Sequence, residues 1–142
     1  MTAPSYPRKV VTAVVPGAPP AYRRYYSNAV RATAGDLLFV SGQVAWDENG
    51  DVVAPGDGPA QARKVFENLS TILTAHGATL DDIVKITVFV TDLDWFDELS
   101  ELRERLFPSN GPASTIVQVS ALVQPELMIE VEAVATVGDA ER

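Results

Sequence analysis

The sequence contains no cysteine, so disulfides and thiolate metal sites do not enter the account. It holds a single histidine, His76, and a metal site built on imidazole would lack its second ligand. Lysine is scarce, with Lys9, Lys64 and Lys85 as the only three. At a net charge of −8 the chain lacks the basic surface that displaces counterions from nucleic acid. Its densest basic spot, Arg23-Arg24 followed by Tyr25-Tyr26, has the composition of a base-stacking platform, but a weak one against this background. No apolar run approaches the roughly 20 residues that a membrane helix needs. The opening stretch from Met1 to Lys9 lacks the apolar centre of a signal peptide. The expectation is a soluble cytoplasmic protein with no nucleic-acid and no membrane partner.

What is present reads as one globular domain. The chain has 142 residues, 46% of them hydrophobic and 21% charged, enough to bury a core without staples. Residues 1–24 form a proline-rich segment (Pro4, Pro7, Pro16, Pro19, Pro20) with a possible edge strand over Lys9 to Val15, and 138–142 form a tail. Leu37 to Val44 predicts a buried strand. The Ser41-Gly42-Gln43 near its end breaks the apolar run, as a bulge, a close backbone approach or a plain strand end would. Asp47 to Asp51 lacks the spacing of a calcium loop.

Asp57 or Gly58 caps a helix from about Pro59 to His76, with the apolar stripe Ala62, Val65, Phe66, Leu69, Ile72 and Leu73, and Gly77 stops it. Ile83 to Thr91 predicts a strand with Val84, Ile86, Val88 and Val90 on one face and Lys85, Thr87 and Phe89 on the other. Asp92 or Asp94 caps a second helix from about Trp95 to Phe107. Its stripe runs Phe96, Leu99, then Leu102 or Arg103, then Leu106, with Glu101 and Arg105 as an exposed pair. Thr115 to Val119 and the closing stretch complete one mixed sheet, giving an α+β two-layer domain with both helices on one face. The other face carries Phe39, Phe89, Met128 and Val134, and an uncovered apolar face predicts self-association. Trp46 and Trp95 are expected to pack.

The closing stretch, Leu127 to Val137, concentrates the chemistry. Its odd positions make a wholly apolar face, and its even positions carry Met128, Glu130, Glu132, Val134 and Thr136. Glu130 and Glu132 therefore share one side, roughly 7 Å apart by the strand rise. They are either the wet side of a half-exposed strand or acids lining a cleft.

The run Leu37 to Val44, Gln61-Ala62-Arg63 with Glu67-Asn68-Leu69, Asp82 to Val90, Asp92-Leu93-Asp94 and Ile129 to Ala135 resemble the RidA (YjgF) imine-deaminase family over about residues 25–137. The resemblance implies a chorismate-mutase-like α+β fold, a homotrimer with clefts between subunits, no cofactor, and hydrolysis of 2-imino or enamine acids to 2-keto acids and ammonia. In it Glu130 corresponds to the glutamate that activates water, Tyr26 to a cleft tyrosine, Ser41 and Gly42 to pocket-lining residues, and the Ile116 backbone to a group holding the substrate carboxylate. Position 114 departs from the pattern: catalytic members carry an arginine after the Pro-Ala pair, and here Pro112-Ala113 precedes Ser114. Serine does not imitate a charged, bidentate guanidinium. Arg-Tyr-Tyr at 24–26 also stands where Gly-Pro-Tyr is common, and Arg24 is the candidate for supplying the charge from another direction.

Three functions follow. One is a hydrolytic deaminase for a neutral or differently charged imine, enamine or related small molecule, with Glu130 as base and Ser114 and Tyr26 as hydrogen-bonding groups. Another is a non-catalytic, ligand-binding or regulatory trimer. The third is a ribonuclease, which the acidic balance and single histidine oppose.

Overall fold

Asp57 Oδ1 accepts a hydrogen bond from the Ala60 amide at 3.0 Å and starts the long helix α1 (Gly58–Ala75), with Pro59 in its first turn. His76 follows at the cap, and Gly77 reverses the chain at φ +71°, a conformation glycine adopts without steric cost. The computed structural model describes residues 8–138; Pro4, Pro7 and nearly all of the expected tail lie outside them. The α1 stripe is buried at Ala62, Val65, Phe66, Leu69 and Leu73, while His76 at its end is exposed.

The remaining elements are β1 (Lys9–Thr12), β2 (Ala29–Ala32), β3 (Asp36–Val44), a short 3-10 turn (Leu80–Asp82), β4 (Ile83–Val90), α2 (Phe96–Leu106), β5 (Ala113–Gln118) and β6 (Ile129–Val137). They form two sheets where the sequence pattern suggested one. β1 and β2 pair antiparallel by themselves, and a four-stranded sheet runs β3-β6-β4-β5, antiparallel except for the parallel β4–β5 pair. The β2 strand answers to no strand expected from the sequence, and β1 is shorter than the expected Lys9 to Val15. The Lys9 ammonium ties this ribbon to the domain by donating to the Ile83 and Asn110 carbonyls, each at 3.2 Å. Burial pushes that ammonium's pKa down, against the opposing pull of Asp81 and Asp82.

The core lies between the four-stranded sheet and the helices. Val40, Val44, Ile86, Val88, Val90, Ile129, Val131, Ala133 and Ala135 are its sheet side. Ile83 is buried in place of Val84, because a register shift between Ile83 and Lys85 breaks the alternation the sequence suggested. α2 is not capped by Asp92 or Asp94: Asp92 Oδ1 is used by the Asp94 amide at 2.8 Å, and Trp95 holds the cap position with no side-chain cap. Glu101 and Arg105 form no ion pair among the described residues; Glu104 takes Arg23 instead, at 3.2 Å. Trp95 is buried in the core, with Gly58 so close to its ring that a Cβ there would overlap it.

The opposite sheet face is bare in the protomer. Phe39 is 73% exposed and shares a shallow depression of about 260 Å³ with Thr87, Glu132 and Val134. No helix among the described residues is long and apolar enough to cross a membrane.

Candidate active site

Two polar side chains of α1 hold the strand ends that carry the acid. Gln61 is fully buried: its amide nitrogen donates to the Glu126 carbonyl at 2.8 Å, and its oxygen accepts from the Met128 amide at 2.8 Å. About two turns further along the same face, Asn68 donates to the Val44 and Trp46 carbonyls at 3.2 and 3.0 Å. The first clamp sets where β6 begins and the second where β3 ends. A buried Gln61 amide engaged through both its nitrogen and its oxygen, and a half-buried Asn68 nitrogen shared by two carbonyls, leave the strands little freedom to slip.

Between those clamps Glu130 meets Gly42. The β3–β6 register skips between Val40 and Gln43, so Ser41 and Gly42 lie in a bulge. The Glu130 carboxylate lies over Gly42, where a Cβ would overlap Oε1. Glycine is required here for close approach and not for backbone conformation. Glu130 is half-buried and makes no hydrogen bond or ion pair among the described residues, whereas Glu132, next on the same face, is exposed. Ser41 is exposed beside the open-face depression. Glu130, Ser41 and Gly42 thus form one group.

The other sequence-derived residues form a second group. Tyr26, Ser114 and Ile116 line a cleft of about 390 Å³, together with Tyr25, Arg103 and Phe96. Gly111 makes this cleft possible: a Cβ there would overlap the Tyr25 backbone. Ser27 docks the segment by donating to the Gly111 carbonyl at 2.7 Å, and its amide donates to the Pro112 carbonyl at 3.1 Å. The Tyr26 hydroxyl accepts from the Tyr22 amide at 3.0 Å, and the Tyr25 hydroxyl shares a hydrogen bond with Ser100 at 3.2 Å.

Arg103 is the residue that sequence reasoning missed in a functional role. Its guanidinium carbon lies 4.4 Å from the centre of the Tyr25 ring, and its Nη2 donates to Ser114 Oγ at 2.6 Å. It is only 2% exposed, and its Nε is buried without a partner. Burial pushes its pKa down to about 10, against the opposing influence of Tyr25 and Tyr26, so it stays protonated at neutral pH. The signal in the sequence was the alternative between Leu102 and Arg103 on the α2 stripe; the structure buries both. Arg24 is exposed and lines only outer hollows, not the cleft that holds Ser114.

The two groups lie on opposite faces of one sheet. Ser114 is in register with the core residue Ile86 and so points to the helix side. Glu130 is in register with Phe89, between the core residues Val88 and Val90, and so points to the bare side. They are also separated by roughly 10 Å across the strands and roughly 10 Å along them, from strand spacing and rise. Within one protomer the two groups therefore do not meet.

A family profile described as Endoribonuclease L-PSP matches residues 17–137. A RutC family protein of Pyrococcus horikoshii is 37% identical over 110 residues, 78% of this chain and 85% of that protein. The 3-aminoacrylate deaminase RutC of Acinetobacter baylyi is 38% identical over 122 residues, 85% of this chain and 93% of its own. Among solved structures, the Rid family protein YyfB of Yersinia pestis superposes with a TM-score of 0.84 at 30% identity, covering 92% of this chain and 99% of that one. Escherichia coli TdcF, solved with bound serine, gives a TM-score of 0.64 at 34% identity over 72% of this chain and 81% of its own.

Proposed function

The chain belongs to the Endoribonuclease L-PSP family, which takes in the RutC and Rid proteins, and on that premise we propose that it hydrolyses a small reactive imine or enamine, releasing ammonia, in clefts completed by neighbouring copies of itself. The observation that carries this reading is the Glu130 carboxylate, carried over Gly42 by two clamped strands and without a hydrogen-bond or ion-pair partner among the described residues. An acid carried on a fixed strand and left unpartnered among the described residues suits a general base. The 3-aminoacrylate deaminase among the relatives, and TdcF with its bound serine, support a small nitrogen-bearing acid as ligand.

In the proposed reaction Glu130 takes a proton from water as the oxygen attacks the C=N carbon. The carbinolamine formed from the protonated imine accepts that proton on nitrogen, Glu130 then takes the hydroxyl proton as the C–N bond breaks, and ammonia leaves a carbonyl product. Ser41 and Gly42 shape the pocket around the acid. Tyr26, Ser114 and the Ile116 backbone act from the other half-site, supplied by a neighbouring protomer, three in the assembly that the resemblance implies. The separation of the half-sites on opposite faces supports that division, and the bare face around Phe39 supports association of copies.

The test is ammonia release from enzymatically generated imines. Wild-type protein is expected to accelerate it and Glu130→Gln to lose that acceleration; a Glu130→Gln protein as active as its parent sinks the mechanism. The serine at position 114 favours a second reading, a non-catalytic ligand-binding assembly. A metabolite that raises Tm by mass action without turnover selects it.

A further inference from the structure

Arg103 is a buried cation to which the described residues bring no carboxylate. Arg23 has Glu104 at 3.2 Å and Arg8 has Asp82 at 2.8 Å, yet Arg103 shares its cleft with the Ser114 hydroxyl, the phenol rings of Tyr22, Tyr25 and Tyr26, and a second cation, Arg23, with no acid in the lining. Its Nε is buried and unpartnered, and Nη1 makes no hydrogen bond among the described residues. A desolvated charge without a counter-ion is costly, and one kept in the wall of an open cleft is placed to receive an anion from outside the chain.

We propose that Arg103 recognises the carboxylate of the substrate, so that this cleft takes a small imino or enamine acid and not the neutral molecule that Ser114 suggests. The inference rests on the deaminase reading for the identity of the reaction, not for the existence of the anion site. The guanidinium comes from α2 and reaches β5 from above, and Ser114 is its positioning residue. Serine is suited to that place: its Oγ accepts from Nη2, and it leaves room that a long side chain on the strand would fill. Tyr25 lies against the guanidinium and fixes its orientation, while Ser100 holds the Tyr25 hydroxyl.

Calorimetric titration of the assembled protein with pyruvate, and with methyl pyruvate as the uncharged counterpart, tests this. Wild type is expected to bind pyruvate and to discriminate against the ester. Arg103→Met, which fills similar space without a charge, is expected to fold and to weaken pyruvate roughly 10- to 100-fold, the range of one charge-assisted hydrogen bond. Arg103→Lys is expected to retain part of the affinity and gives a second measure if the methionine variant does not fold. Equal affinity for acid and ester, equal affinity in wild type and Arg103→Met, or no pyruvate binding by wild type each overturns the assignment. A protein that binds pyruvate through Arg103 and releases no ammonia from any imine overturns the deaminase reading alone. Ammonia release lost in Glu130→Gln, with pyruvate affinity untouched by Arg103→Met, overturns the arginine assignment alone.

Discussion

Arg103 Nη2 on α2 donates to Ser114 Oγ on β5 at 2.6 Å, so a helix supplies the guanidinium that the family resemblance leads one to expect on the strand itself. The two positions are complementary. A cation at one is compatible with a small hydroxyl at the other, and two cations are not.

Introducing the expected strand arginine alone should therefore harm the fold. Ser114→Arg sets a second guanidinium against Arg103 in a desolvated place and is expected to cost about 3 kcal/mol. Ser114→Arg combined with Arg103→Met should recover most of it. Urea denaturation of the two single variants and the double variant gives the coupling energy; additive effects would show that the two sites are independent.

Gly42→Ala should separate activity from stability. The added Cβ overlaps the far end of a flexible side chain, the Glu130 carboxyl, which swings aside at little cost to folding. The expected result is a roughly tenfold or greater loss of ammonia release, as for a displaced catalytic base, with Tm nearly unchanged. A calorimetric scan beside the activity assay checks both parts.

Gln61→Leu should do the reverse. It removes the partner of the Met128 amide and the Glu126 carbonyl inside the core. The expected loss is about 2 to 5 kcal/mol, from the cost of leaving buried polar groups unsatisfied, read from the urea midpoint.

Mixing two impaired variants, assayed at substrate well below KM, tests whether the two groups meet between copies. Glu130→Gln and Arg103→Met, denatured together in equal amounts and refolded, should regain about a quarter of wild-type activity, because each cleft draws one half from each of two randomly assorted protomers. No recovery would place both halves of the working site in one chain.

The pH dependence of carboxylate binding follows from the sign of the Arg103 shift. Its pKa is lowered to about 10 by burial, so the binding form is the protonated one, fully present below that value and lost above it. Pyruvate affinity should be flat between about pH 6 and 9 and fall as pH passes about 10, and bound anion should move that fall upward. In the free protein the same lowered pKa means that folding disfavours the charged form. This contribution to stability therefore rises with pH from about 10 toward the higher value of an ordinary arginine. Titrations at fixed ionic strength read the first effect.

Much of the fold was legible because helices and strands write their period into the chain. The α1 stripe, its Asp57 start and its Gly77 stop came out within a residue of their places. So did the alternation of β6 that sets Glu130 against its apolar neighbours. The readings that failed were those in which a polar group had more than one partner open to it. Asp92 turned to the Asp94 amide instead of a helix end, and on α2 it is Glu104 that makes an ion pair, with Arg23, and not Glu101 with Arg105; a failure of another kind is the register shift after Ile83, which buried that residue in place of Val84.

By itself the sequence determined which faces are apolar, that Glu130 rides on the polar side of a strand, and which family the pattern resembles. Each of these is carried by neighbours along the chain, through a period of two or of 3.6 residues. Only the tertiary structure decided that residue 103 reaches residue 114, that Tyr25 lies beside both, and that Glu130 points away from all three. Those relations depend on how α2 crosses the sheet edge and on how the strands are ordered. Packing sets both, and no local spacing records them.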